Sequence, residues 1–153
     1  MITDQEYMRI AIEEAIEAQR HGELPIGAVV VSPRGVVSRN RCREAAERTV
    51  LAHAELHAVN DACRALGTNI LDDCTIFCTN EPCLMCAAAI FQARLRRVVY
   101  GVSRDDLPRI FRPRNLRIEH LAADSGYGPI IEKGILAAEI LRLFDGIARV
   151  AGR

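Results

Sequence analysis

Between residues 50 and 102 the apolar pattern changes its period repeatedly, and few folds accommodate that order. Leu51, Ala54, Ala58, Ala62 and Leu66 recur at helical spacing and stop at Gly67. Cys74 to Thr79 then reads as a β-rich run, Cys83 to Arg94 as an apolar helix opened by Pro82, and Val98 to Val102 as another strand. Helix, strand, helix, strand requires at least partly parallel strands, covered by helices on both faces. The predicted class is therefore α/β, as a three-layer α/β/α sandwich.

The flanks fit that plan. Thr3 and Glu6 have capping-box spacing ahead of Met8, Ala11, Ile12, Ala15 and Ile16, which predicts a helix over 4–20 that ends at His21-Gly22. Ile26 to Val31, the turn residues at 32–35, and Val36-Val37 predict a hairpin. The stretch 103–117, with its prolines and arginines, reads as a loop. A short strand near 116–119, another near 129–132 and a helix from Ile135 to about Val150 complete the expectation.

No repeat, low-complexity tract or linker divides the 153 residues, so one domain over 1–153 is expected. Basic and acidic residues balance at 20 each, which advertises no broad basic surface of the kind that draws in a phosphate backbone from a distance and leaves nucleic acid open as a partner. The polar N-terminus and the lack of any apolar run of membrane-spanning length predict a soluble, cytoplasmic protein. In that compartment the cysteines at 42, 63, 74, 78, 83 and 86 are expected to be reduced, so metal binding or catalysis is the reading for those that matter.

Cys83 and Cys86 stand in NEPCLMC, a spacing shared by redox pairs, structural zinc knots and catalytic metal sites. The partners that separate these lie upstream in LAHAELHAV: His-Ala-Glu, 26 intervening residues, then Pro-Cys-Leu-Met-Cys. His53, Cys83 and Cys86 make three protein ligands, the number a catalytic zinc uses when its fourth position stays open to water. Glu55, two residues after the histidine, is placed to shuttle protons without replacing that water. The set suits hydrolytic deamination, in which one carboxylate serves the water, a ring nitrogen and the departing amine in turn. A redox pair would leave His53 and Glu55 unexplained. A structural zinc would want a fourth ligand, and Cys74 and Cys78, four apart in a strand, read instead as small core residues. Cys63 reads as core and His57 as a surface or interface residue.

H-A-E followed by P-C-x-x-C resembles the signature of the zinc-dependent cytidine deaminase-like superfamily. The stretch ALGTNILDDCTIFCTNEPCLMCAAAIFQARLRRVVYG is similar to the branch that holds guanine deaminases, tRNA adenosine deaminases and fungal-type cytosine deaminases. The resemblance implies a mixed, about five-stranded sheet, one catalytic Zn2+ per chain, and usually a homodimer. It also implies that the Ala54 N–H meets a substrate carbonyl and that the Glu81 backbone carbonyl faces the leaving ammonia. The family's base-reading asparagine stands eleven residues before the metal histidine, a position occupied here by Cys42. Asn40 takes the role if the 41–52 loop is longer. Asp106 stands about where guanine deaminases bind the amino group of the base. The expected substrate is a small amino-heterocycle, guanine-like first and cytosine-like or triazine next. The alternative is a tRNA-specific adenosine deaminase, favoured by the C-terminal GILAAEILRLF. A non-enzymatic zinc scaffold is a third class, and the arginines at 104, 109, 112, 114 and 117 read as solvated or paired charges unless they hold a phosphate or an RNA backbone.

Overall fold

A computed structural model describes residues 1–107 and 109–148. Helix α1 (Asp4–Arg20) begins at the expected capping box, with the Glu6 N–H donating to Thr3 Oγ1 at 3.3 Å and the Thr3 N–H to Glu6 Oε2 at 2.7 Å. Strands β1 (Gly27–Ser32) and β2 (Gly35–Arg41) form the hairpin. A four-residue helix α2 (Glu44–Glu47) precedes α3 (Ala54–Leu66). Then come β3 (Thr75–Asn80), α4 (Leu84–Gln92), β4 (Arg97–Val102), a 3-10 turn at Arg104–Asp106, α5 (Ile118–Ser125), β5 (Ile130–Lys133) and α6 (Ala137–Arg142).

The five strands form one sheet in the order β2-β1-β3-β4-β5. β1 runs antiparallel to β2 and β3, whereas β3, β4 and β5 are parallel, so the sheet is mixed as the resemblance implied. Alternate residues divide it into two cores. Ala28, Val30, Ile76, Cys78 and Val98 face α3, α4 and α5, while Val29, Phe77 and Val99 face α1 and α6. Three layers result. Cys74 and Cys78 are fully buried in the first core, as expected, and Cys63 packs at its edge.

Four boundaries differ from the sequence expectation. α3 begins at Ala54 rather than near 50, because Thr49 and Ala52 form a turn whose Ala52 carbonyl accepts from the Arg43 N–H at 3.0 Å. α4 begins at Leu84, so Pro82 precedes the cap instead of opening the helix. The strand expected near 116–119 is the start of α5: Ile118, Leu121 and Ala122 recur at helical spacing against the first core, and a helix supplies the crossover that parallel β4 and β5 require. α6 ends at Arg142, earlier than the expected helix to about Val150, and residues 149–150 of that range lie outside the described residues. Among the described residues no helix is long and apolar enough to cross a membrane.

Close approach of α1 to the sheet depends on small residues. Ala11, Ala15 and Ala18 are fully buried on the helix face, and a Cβ on Gly27 would overlap the Ala11 carbonyl oxygen and lie 2.8 Å from the Ala15 nitrogen. Gly27→Ala should therefore lower unfolding free energy by about 1–3 kcal/mol, the cost of overpacking a filled core. Urea unfolding measures this directly, and an unchanged midpoint would contradict the packing described.

Candidate active site

Two helix starts meet at one point. His53 is the N-cap of α3 and Cys83 the N-cap of α4, both in extended backbone conformation. The His53 side chain makes no capping bond to its own helix. It meets Cys83 in the space between the helices, where Cys86 arrives from the first turn of α4 on the same side as Cys83 and bonds to it. His53 Nδ1 lies 3.6 Å from Cys83 Sγ and 3.3 Å from Cys86 Sγ, and the ligand atoms of the three residues all lie within 4.8 Å of one another.

These separations allow a test of fit. Zinc bonded tetrahedrally to nitrogen at about 2.0–2.1 Å and to sulfur at about 2.3 Å needs nitrogen–sulfur edges of about 3.6 Å. Both edges agree within a few tenths of an ångström, and an imidazole with two thiolates is a donor set suited to zinc. The other face of the ring is also settled: His53 Nε2 lies 3.3 Å from Glu44 Oε1. A carboxylate at that distance favours a proton on Nε2, the tautomer in which a neutral imidazole offers its Nδ1 lone pair to a metal.

The electrostatics favour a cation. The bond from Cys86 to Cys83 holds the Cys83 thiol down at about 4 despite burial, with His53 assisting, and the same bond pushes Cys86 far up. Burial opposes the His53 imidazolium, but the bond to Cys83 and the charges of Glu55, Cys83 and Glu44 outweigh it and push His53 up to about 9. Glu55, 4% exposed in the first turn of α3, is pushed up to about 7, first by burial and then by the negative charge of Cys83, with His53 opposing. A carboxyl poised near neutrality both takes and gives protons under ordinary conditions.

His53, Glu55, Cys83 and Glu44 lie in the wall of a cavity of about 240 Å³, with Cys86 buried behind them. Ala54, Glu81 and Asn80 line it beside His53, Glu55 and Cys83. Ala54 is the first residue of α3, so its N–H has no intrahelical acceptor. The Glu81 carboxylate is occupied outside the metal cluster, accepting from Arg117 Nε at 2.7 Å and the Arg104 N–H at 2.8 Å.

The sequence profile of the MafB19-like deaminases matches residues 2–137. The chain belongs to the MafB19-like deaminase family. Among relatives of this MafB19-like chain, the tRNA-specific adenosine deaminase of Bacillus subtilis is 43% identical over 101 residues, 66% of this chain and 63% of that enzyme, so the match spans just under two thirds of the relative. A solved tRNA A34 deaminase, studied for A-to-I editing at the wobble position, is 33% identical with a TM-score of 0.79, covering 90% of this chain and 97% of that one. The guanine deaminase of Bacillus subtilis is 29% identical with a TM-score of 0.66, over 82% of this chain and 71% of that one.

Within this MafB19-like site the structure brings together His53, Cys83, Cys86, Glu55, Ala54 and Glu81. It places Asn40 and Asp106 elsewhere. The Asn40 amide donates to Asp61 Oδ2 at 2.9 Å and accepts from Arg43 NH2 at 2.6 Å, and it is Cys42 that reaches the cavity. Burial first, then nearby carboxylates, pushes the Cys42 thiol up to about 12. The Asp106 carboxylate accepts from the Ser103 N–H at 2.6 Å, a cap on the 3-10 turn. His57 pairs with Glu47 at 3.4 Å, away from the cluster. Sequence reasoning missed Glu44, which sits in a segment without periodicity and carries no motif.

Replacing Glu44 removes the carboxylate that orients the ligand ring. Glu44→Gln should weaken zinc affinity by about 10-fold or more, within the range for such supporting groups. Competition against a chromophoric chelator reads this loss, and wild-type affinity in the variant would show that the Nε2 contact does not matter.

Proposed function

We propose that this MafB19-like chain is a zinc-dependent hydrolytic deaminase, and that its substrate is adenosine presented in tRNA. The observation that carries the reaction is one arrangement: three ligand side chains at zinc spacing with a buried carboxyl, Glu55, two residues from the histidine, with His53, Glu55 and Cys83 on one cavity wall and Cys86 buried behind it. Zinc held by His53, Cys83 and Cys86 would supply an acidified water at its open fourth position.

The remaining work falls to the chain itself. Glu55 takes a proton from the water as oxygen adds to the ring carbon that bears the amino group, and passes it to the adjacent ring nitrogen. It then moves the second proton to the amine, the carbon–nitrogen bond breaks, and a carbonyl compound and ammonia leave. Burial holds the Glu55 carboxyl above the ordinary carboxylate range, which favours its keeping a proton between the two transfers. The Ala54 N–H, free at the start of α3, is offered to the heterocycle, and the Glu81 backbone carbonyl to the departing ammonia, the Glu81 side chain being held by Arg117. Cys42, a weak hydrogen-bonding group, stands at the wall where the resemblance places an asparagine, so recognition of the base falls more heavily on backbone groups.

The choice of adenosine in tRNA rests on identity: 43% and 33% to proteins named for that activity, against 29% to a guanine deaminase. Free guanine-like bases are the second reading, supported by that last similarity. A panel of an anticodon stem–loop with adenosine at the wobble position, adenosine, guanine and cytosine separates them. Ammonia release with inosine appearing in the RNA is expected; turnover of guanine with inert RNA would favour the second reading. Glu55→Gln should cut kcat by at least about 10³-fold, the scale of a lost general acid–base, while zinc stays bound. Activity within tenfold of wild type would remove Glu55 from the mechanism.

A further inference from the structure

Two arginines of the 103–117 segment lie on the wall of the catalytic cavity: Arg104 and Arg114 line it together with Phe111. Both also line a small recess beside the cavity, bounded by Pro82, Leu84 and Leu116. Near the site, other arginines are spent on carboxylates. Arg117 pairs with Glu81 and, at 2.7 Å, with Asp105; Arg43 pairs with Glu47 at 3.5 Å. Among the described residues, neither Arg104 nor Arg114 makes a salt bridge.

The sequence alone suggests that the acids of this region would neutralise the cluster, but the structure directs each of them elsewhere. Asp105 is taken by Arg117, Asp106 caps the turn at Ser103, and Glu119 accepts from the Tyr100 hydroxyl at 3.4 Å. The Arg104 pKa is lowered, by burial first and by the charge of Arg114 next, while the nearby Cys83 and Glu81 side chains oppose that shift. Arg104 is nonetheless held in place: its Nε donates to the Arg112 carbonyl at 2.7 Å and its guanidinium lies 5.2 Å from the centre of the Phe111 ring. A positioned, half-buried arginine beside an exposed one, both facing the cavity that holds the catalytic cluster, presents a fork of donors suited to phosphate oxygens.

We propose that Arg104 and Arg114 form a phosphate subsite at the edge of the deaminase cavity, so that the substrate enters as a base attached to a phosphorylated sugar and not as a free base. The inference rests on the deaminase reading of the cavity. The phosphate comes either from a free nucleotide or from the backbone of an RNA strand, and the chemistry of recognition is the same.

The test uses product-type ligands, which bind without turnover. Affinities of inosine, inosine 5′-monophosphate and a five-nucleotide RNA carrying inosine are measured by calorimetry on the zinc-loaded protein, on Arg114→Gln, and on Arg104→Gln/Arg114→Gln. At least one phosphate-bearing ligand should bind tighter than inosine by about tenfold or more, the scale of charge-assisted hydrogen bonds. Arg114→Gln should lower that ratio several-fold, and the double variant should bring it near one. Arg114 is exposed and makes no salt bridge, so the single variant keeps the test valid even if the double variant perturbs the loop. Preference for the monophosphate alone identifies a nucleotide source and preference for the RNA alone a backbone source; either supports the subsite. A ratio near one for both ligands in wild type, or a ratio unchanged by the variants, overturns it. Failure of the underlying reading looks different: arginine-dependent phosphate binding would persist while no ammonia is released from any substrate.

Discussion

The structure depends on the meeting of two helix starts above one sheet. His53 and Cys83 each end an extended segment and begin a helix, and His53 forgoes the usual bond back to its own helix. That geometry lets a nitrogen and two sulfurs, from segments 30 residues apart in sequence, lie within 4.8 Å of one another. The positive ends of both helices then face the same point, which steadies a thiolate before any metal arrives. The parallel β3–α4–β4 unit is what delivers α4 to that point: its strand ends at Asn80, its helix starts at Leu84, and the ligands occupy the turn between and the first turn after.

A second consequence is the burial of Glu55. A carboxylate in the first turn of a helix is ordinarily favoured in its charged form. Burial overrides that preference here, and the result is a group near pH 7. A carboxyl raised in this way keeps a proton where an exposed glutamate would remain ionised. Glu44 lies against the far side of the imidazole, so one ring nitrogen of His53 faces the two cysteines and the other a carboxylate.

Much of this was legible in the residues because local chemistry and global fold agree there. The Thr3–Glu6 box, the short apolar runs of β1, β3 and β4, and the combined His-Ala-Glu and Pro-Cys-x-x-Cys spacing each have one dominant physical meaning. What escaped has tertiary causes. α5 begins in a stretch whose few apolar residues support either period, and it becomes a helix because parallel neighbours need a crossover. The late start of α3 follows from a turn pinned to Arg43, a contact no periodicity encodes. Asn40 is drawn to Asp61 and Arg43 while Cys42 takes the cavity wall, a choice made by strand register and loop path. The fate of the arginines could not be read from their clustering, since it turns on which acids are already engaged.

The central claim is that His53, Cys83 and Cys86 compose a three-ligand zinc site with an open position. X-ray absorption at the zinc edge of the purified, metal-loaded protein tests it most directly. The arrangement predicts two sulfur ligands at about 2.3 Å and a nitrogen at about 2.0–2.1 Å, completed by one further light atom. A shell of four sulfurs, or one without sulfur, would contradict it.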